Sequence, residues 1–169
     1  KIEHMKNTRI FLLLFAMGWV SQITAQVAKD SELHRQLQIQ DSVFFERSFN
    51  QCDIRYLEQA IDSNLTFYHD QGGIQNREKF LEAVKNNICG NPAVKPIRKV
   101  SPQSLEVFPM YNDGQLYGVI QTGMHSFYLR QKDKEDVLTS TAKFIHLYLW
   151  VQGKWILKEV MSFDHRAPK

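Results

Sequence analysis

The spacing of hydrophobic residues changes near the middle of the chain. In the first half, apolar side chains recur at helical intervals after Asp30 and Ser31, either of which can cap the N-terminus of a helix. This pattern predicts a helix that runs to about Asn50. Asp53 can cap a second, shorter helix that ends near Ile61.

A short strand and a third helix complete the first half. The strand is predicted over residues 65–69, and Asn76 can cap the helix that follows. Four apolar residues share one face of this helix, and Gly90 and Pro92 end it. They are Phe80, Leu81, Val84 and Ile88.

The second half has the pattern of strands separated by turns. Asn112-Asp113-Gly114 and Gln152-Gly153 are turn signals, and a charged turn covers residues 131–136. Helices followed by long antiparallel strands predict the α+β class. Gly118 and Gly123 are candidate bends inside one long strand. The predicted strands are 104–111, 116–129, 138–151 and 155–163.

The N-terminal segment has the three-part layout of a secretory signal peptide. Lys6 and Arg9 precede an uncharged run at 10–20, and a more polar stretch ends at Ala25. The run is far shorter than the roughly 20 apolar residues that cross a bilayer. We therefore expect an exported protein, periplasmic or secreted, without a membrane span.

This interpretation divides the chain into a signal segment and one domain. Residues 1–25 are predicted to be the signal, with residues 1–4 upstream of Met5, and residues 26–169 to form one domain. The predicted mature chain keeps 18 of the 21 basic and 17 of the 18 acidic residues, a net charge of +1. It has no cluster of Lys and Arg, so a nucleic acid partner is not expected.

Five local motifs, taken in their order and spacing, resemble the nuclear transport factor 2-like superfamily. The resemblance covers the predicted mature chain and is nearest to the SnoaL-like, domain-of-unknown-function branch found in secreted bacterial proteins. The motifs are Phe67-Tyr68-His69-Asp70-Gln71-Gly72-Gly73, Gly123-Met124-His125-Ser126-Phe127, Phe144-Ile145-His146, Gly153-Lys154-Trp155 and Ser162-Phe163-Asp164-His165.

The resemblance implies a fold but not a reaction. Members of the superfamily pack three N-terminal helices into a strongly curved antiparallel sheet, which forms a cone with a pocket and is often dimeric. The superfamily includes isomerases, cyclases, epoxide hydrolases, dehydratases and members without known catalysis. Function must therefore be argued from the side chains of the site.

Histidines beside the predicted strands are the main candidates for a site. If Gln152-Gly153 is a two-residue hairpin turn, the pairing places His146 opposite Glu159, with His165 further along the same face. A carboxylate beside His146 would support proton transfer near neutral pH. The alternative is a structural polar pair across two strands.

Several other residues are candidates for the pocket. Asp164 is a possible catalytic base if the opposite face of its strand lines the cavity. Ile145, Leu147, Leu149, Ile156 and Val160 make the face opposite His146 apolar. The predicted ligand-binding residues are His69, His125, Tyr148, Trp155 and His165.

No cofactor or metal is expected from the motifs. Two or three histidines with Asp70 or Asp164 have the chemistry of a zinc or iron site, but no close-spaced ligand pattern is present. No Gly-x-Ser-x-Gly sequence is present either, which argues against serine nucleophile chemistry. Cys52 and Cys89 follow the first and third helices, and either a disulfide or two packed thiols fits that placement.

Three functions remain compatible with the sequence. The first is an exported protein that binds a small, partly apolar molecule in the cone. The second is a pocket enzyme that uses histidine and carboxylate acid–base chemistry, of the isomerase, dehydratase or hydrolase type. The third is an interaction module, in which the outer sheet face forms a homodimer or docks another protein and the pocket is vestigial.

Overall fold

The computed structural model describes residues 25–168, which form an α+β fold with the helices before most of the sheet. Each helix begins at a residue whose side chain caps it. Ser31 accepts a hydrogen bond from the backbone N–H of His34, Asp53 from Tyr56 and Asn76 from Lys79. The helices are α1, Glu32–Phe45, α2, Ile54–Ala60, and α3, Arg77–Ala83.

Seven strands form one curved, unclosed sheet. Their order is β2-β1-β7-β6-β5-β3, and β4 pairs with the N-terminal half of β5 beyond the reach of β3. All pairings are antiparallel except that between β1 and β7. The strands are β1, Ile61–His69, β2, Gly73–Asn76, β3, Val94–Val100, β4, Glu106–Asn112, β5, Gln115–Gln131, β6, Val137–Val151, and β7, Lys154–Arg166.

The predicted class, the helix caps and the four long strands are confirmed, whereas β2 and β3 were not predicted. β2 has only four residues. β3 carries Lys95, Pro96, Arg98 and Lys99 among its seven residues, so it lacks the alternation that marks a half-buried strand. Proline is accepted there because β3 lies at the edge of the sheet, where one side of the backbone needs no hydrogen-bonded neighbour.

α1 and α3 each continue into a π-helical turn, Glu46–Asn50 and Val84–Ile88. The helices pack on one face of the sheet, where their apolar residues join those of the long strands in a single core. The side chains of Leu37 and Phe44 on α1 are buried in this core. The inner face of the sheet is therefore the face that the helices cover, and no helix of residues 25–168 covers the outer face.

Gly123 allows β5 and β6 to approach closely on the inner face. A Cβ atom at this position would lie 2.8 Å from Cζ of Phe144 and 3.0 Å from a methyl group of Leu105. Gly118 lies beside an irregularity in the β4–β5 pairing, as expected for a bend. Both glycines thus allow β5, the longest strand, to bend.

A disulfide joins Cys52 to Cys89, with their Cα atoms 5.8 Å apart. It connects the segment that follows α1 to the segment that follows α3. The predicted signal peptide, apart from Ala25, lies outside the described residues. Among residues 25–168, no helix combines the length and apolar character that crossing a membrane requires.

Candidate functional site

A cavity of about 420 Å³ lies between the helices and the inner face of the sheet. This volume falls in the range of pockets that hold small organic molecules. Most of its wall is apolar, and aromatic rings from helices and strands dominate it. They are Phe45, Phe49, Phe67, Phe80 and Phe127, with Val84, Ile88, Leu157 and Val160 between them.

Four histidines line this cavity: His69, His125, His146 and His165. They come from four adjacent strands, β1, β5, β6 and β7. The structure thus brings together the four histidines that the sequence singled out beside strands. His34, the fifth histidine of the predicted mature chain, is buried on α1, where Nε2 contacts the backbone oxygen of Leu105 at 3.2 Å.

The predicted pairing of His146 with Glu159 is wrong by one residue. The turn is as expected, because Val151 pairs with Lys154, but the register shifts between Leu147 and Tyr148. His146 consequently lies opposite Val160. The shift turns Val160 toward the cavity and places Glu159 beside Leu147 on the outer side, away from His146.

A second irregularity, at Asp164, determines the position of His165. Asp164 has a positive φ of 59°, which is uncommon for a residue other than glycine. Its carboxylate lies outside the cavity wall and pairs with Lys143 and Arg166 at 3.1 and 2.8 Å. His165 returns to the inner face beside Ser162. Asp164 is therefore not placed to act as a base in the cavity.

Tyr148 and Trp155 do not line the cavity. Both belong to the hydrophobic core, where they are 0% and 9% exposed. The sequence placed them on the same face as His146, which is correct for the strands. The cavity occupies only one part of that face, and the core fills the remainder.

The polar centre of the site includes an ion pair that the sequence did not predict. Nη1 and Nη2 of Arg98 donate to the two carboxylate oxygens of Asp41 at 2.8 and 3.0 Å. Their side chains are 2% and 0% exposed, and the guanidinium lies 3.5 Å from the ring centre of Phe45. The sequence could have indicated Asp41, because a carboxylate on the apolar face of α1, between Leu37 and Phe44, suggests a buried and paired charge. Arg98 had none, since β3 was not recognised.

Hydrogen bonds extend from this ion pair along the cavity wall to Asp70. Nε of Arg98 donates to Nδ1 of His125 at 3.0 Å, so the proton of the neutral ring is on Nε2. Nε2 of His125 lies 3.4 Å from Oγ of Ser162, and Oγ lies 3.4 Å from Nε2 of His165. Nδ1 of His165 contacts Oδ1 of Asp70 at 2.6 Å.

These contacts fit a single direction of donation. Arg98 donates to His125, His125 to Ser162, Ser162 to His165, and His165 to Asp70, because Arg98 has only donors and a carboxylate has only acceptors. The backbone N–H of His165 also donates to Asp70, at 3.1 Å. Asp70 thereby holds His165 at two points, the imidazole ring and the backbone.

Burial keeps the inner histidines uncharged. It lowers the pKa of His125 far below its usual value, and the nearby charge of Arg98 lowers it further. The same two causes, in the same order, hold the pKa of His146 well below its usual value. His146 is stacked on Phe144 with ring centres 4.3 Å apart, and its Nδ1 has no hydrogen-bond partner among the described residues.

A second pair of histidines lies at the more exposed end of the polar wall. His69 is stacked on His165 with ring centres 4.4 Å apart, and Nδ1 of His69 accepts hydrogen bonds from the backbone of Gln71 and Gly72. Burial, followed by the proximity of His165, lowers the pKa of His69. Burial raises the pKa of Asp70, but the hydrogen bonds from His165 outweigh it and the net shift is downward.

His69, Asp70 and His165 have candidate metal-ligating atoms that all lie within 4.8 Å of one another. Two observations weaken a metal interpretation. Nδ1 of His69 already accepts two backbone hydrogen bonds. Nδ1 of His165 is hydrogen-bonded to the Asp70 carboxylate, which would itself be a ligand of the metal ion. Asp164, the other carboxylate considered for a metal, faces away.

No protein-family model matches the sequence, and no curated protein matches it significantly. Solved structures do match. ActVI-ORFA from Streptomyces coelicolor is 9% identical over 80% of this chain and 98% of its own, with a TM-score of 0.65. An NTF2-like protein from Cytophaga hutchinsonii is 12% identical over 79% of this chain and 98% of its own, with a TM-score of 0.55.

A third structure, from Exiguobacterium sibiricum, is described as a calcium/calmodulin-dependent kinase II association domain. It is 14% identical over 85% of this chain and 100% of its own, with a TM-score of 0.56. At these identities the likeness establishes the fold alone. The chain has the nuclear transport factor 2-like fold, as its motifs indicated.

Proposed function

We propose that this is an exported protein whose cavity binds a small, partly apolar molecule. The observation that carries the proposal is a mostly apolar cavity with one polar wall of neutral histidines. Aromatic walls favour an apolar body, and a few convergent polar groups orient it. The N-terminal signal pattern and the disulfide support export to an oxidising compartment.

The charges of the wall restrict the class of ligand. Asp41 neutralises Arg98 at close range, and His125 and His146 carry no charge near neutral pH. A strongly charged ligand would therefore lose its hydration without gaining a partner in the inner part of the cavity. A neutral molecule with one or two hydroxyl or carbonyl groups fits this environment.

A substitution that fills the cavity tests the proposal. Ala83 lines the cavity, and Ala93 lies exposed outside it, so Ala83→Trp and Ala93→Trp add the same side chain at different sites. In a titration with a neutral, environment-sensitive naphthalene dye, we expect the wild type and Ala93→Trp to give saturable fluorescence enhancement. Ala83→Trp should weaken dye affinity at least about tenfold, which corresponds to roughly 1.4 kcal/mol.

Circular dichroism of both variants provides the folding control. Equal dye affinity in a folded Ala83→Trp protein would show that the dye occupies another surface. Absence of saturable binding by the wild type to neutral aromatic probes would contradict the proposal itself.

The outer sheet face supports a second function, self-association as a homodimer. Ile145, Leu147 and Leu149 of β6 are only partly buried there, and Met161 of β7 and Met124 of β5 are 39% and 45% exposed. Within the described part of the chain no helix covers this face, and an apolar surface of this kind is typical of protein contacts. Val160, expected on this face from the sequence, lies on the inner face instead.

Light scattering after size exclusion tests the dimer. We expect a dimeric mass for the wild type and a monomeric mass for Leu147→Lys, because a lysine at the centre of the face would be buried without a partner. Val137→Lys, at the 61% exposed start of the same strand, should remain dimeric. A monomeric wild type would rule out this function.

A further inference from the structure

We propose that Ser162, His165 and Asp70 form a nucleophilic triad that hydrolyses esters of small, uncharged acyl groups in the cavity. Ser162 is the nucleophile, His165 the general base and Asp70 the positioning residue. The proposal goes beyond ligand binding and rests on it, because the substrate must enter the same cavity. A serine triad is recognised by these roles and by geometry rather than by sequence order.

The geometry matches the three roles. Oγ of Ser162 lies 3.4 Å from Nε2 of His165, and Nδ1 of His165 lies 2.6 Å from Oδ1 of Asp70. Separations slightly beyond ideal hydrogen-bond length are common between nucleophile and base in unliganded enzymes. Ser162 and His165 both line the cavity, whereas Asp70 contacts the far side of the imidazole.

Asp70 fixes the tautomer that the reaction needs. Its carboxylate accepts both the ring Nδ1–H and the backbone N–H of His165, which leaves Nε2 unprotonated and directed toward Ser162. The positive φ of Asp164 produces the local kink that keeps Ser162 and His165 on one face although they are three residues apart. Backbone strain of this kind is concentrated at functional sites.

His125 supplies a donor on the other side of the nucleophile. Because Arg98 donates to Nδ1, Nε2 of His125 carries a proton, and this N–H lies 3.4 Å from Oγ of Ser162. In the unliganded site this N–H is directed at Oγ itself; with an ester bound, we assign it to the carbonyl oxygen, where a donor stabilises the negative charge that develops. The buried Asp41–Arg98 pair thus has a role in the proposed site, because Arg98 holds His125 in the tautomer with the proton on Nε2.

The proposed reaction has two steps that share one proton carrier. Oγ of Ser162 attacks the ester carbonyl carbon while Nε2 of His165 takes the hydroxyl proton, and the intermediate collapses with cleavage of the carbon–oxygen bond as His165 protonates the departing alcohol. Water then attacks the acyl-serine, His165 takes its proton, and the carboxylic acid leaves as the proton returns to Oγ. The net change is ester and water to acid and alcohol.

The missing Gly-x-Ser-x-Gly sequence does not conflict with this arrangement. That motif places serine on a turn between a strand and a helix. Here Ser162 lies within β7, and the kink at Asp164 brings the base to it from the same strand. The sequence motif Ser162-Phe163-Asp164-His165 contains both residues. Regular strand alternation would have placed Ser162 and His165 on opposite faces, so the motif alone did not reveal the pair.

Covalent labelling with an alkyl fluorophosphonate tests the nucleophile. Loss of fluoride and formation of an oxygen–phosphorus bond should add one phosphonyl group per chain, mapped to Ser162 by peptide mass spectrometry. Ser162→Ala should abolish the adduct. Ser63→Ala is the matched control, because Ser63 lies exposed on β1 outside the cavity, and its labelling should equal that of the wild type.

Hydrolysis of 4-nitrophenyl butyrate separates the roles of the other two residues. We expect His165→Gln to lower kcat on the order of 10²–10⁴-fold. Asp70→Asn should lower kcat on the order of 10²-fold or more with little change in KM. The amide no longer holds the His165 proton on Nδ1, and the cavity itself is unchanged. A residue with a purely structural role would change stability and KM instead.

Three outcomes would overturn the triad. They are no adduct on Ser162 in the folded wild type, hydrolysis that survives Ser162→Ala, and hydrolysis that chelator removes and zinc restores, which would assign His69, Asp70 and His165 to a metal. The naphthalene dye distinguishes the two proposals. Dye binding without labelling refutes the triad alone, whereas loss of both refutes the binding cavity as well.

Discussion

Replacing Asp41 with Asn should destabilise the protein by about 3–5 kcal/mol, the largest effect we expect from a single side chain. Asp41 is completely buried and is the carboxylate that neutralises the Arg98 guanidinium. Without it, a positive charge remains in a low-dielectric interior against Phe45. Urea unfolding followed by circular dichroism measures the loss.

A double-mutant cycle separates the ion pair from its surroundings. Arg98→Met should be similarly costly, because it leaves the Asp41 carboxylate buried without a partner. The double variant Asp41→Leu/Arg98→Met should be more stable than Asp41→Leu alone or Arg98→Met alone, because each single variant leaves one buried charge without a partner and the double variant removes both. Losses that simply add, or a loss below about 1 kcal/mol for Asp41→Asn, would mean that the pair is not buried as described.

Removal of the disulfide should cost about 3–4 kcal/mol. The bond closes a loop with a sequence separation of 37 residues, and the loss of that constraint increases the conformational entropy of the unfolded chain. The loop contains α2, β1, β2 and α3. Cys52→Ser/Cys89→Ser and the dithiothreitol-reduced wild type should show the same loss of unfolding free energy.

The disulfide also has a local consequence for the cavity. Phe49 and Ile88, which both line the cavity, lie shortly before the two cysteines. We therefore expect weaker dye binding in the reduced protein, in addition to the lower stability. Equal stability of the oxidised and reduced wild type, in proteins whose thiol content has been verified by mass, would contradict this account.

The parts of the fold that could be predicted are those set by local sequence. The caps at Ser31, Asp53 and Asn76 and the turn at Gln152-Gly153 are short-range features, and the structure has them where the sequence placed them. The seven-residue strand β3 was missed because its tertiary position at the sheet edge, not its pattern, makes it a strand.

The candidate site was predicted less well, for a specific physical reason. Its histidines were found because their residue type is informative wherever they lie. Their neighbours depend on which way a strand faces after each irregularity, and the register shift near Tyr148 and the kink at Asp164 each reversed that alternation. Glu159 was consequently placed beside His146, where the structure has Val160, and strand alternation gave no indication that Ser162 shares the cavity with His165.

The most direct test of the binding cavity is chemical-shift mapping of the protein by NMR with neutral aromatic fragments. We expect saturable changes in the ring signals of His125 and His165 and in those of Phe45 and Phe127, with little change at the outer-face residue Leu147. Ala83→Trp should suppress these changes, and Ala93→Trp should not. Changes confined to the outer sheet face, or no saturable change at all, would contradict the claim that the inner cavity is the ligand site.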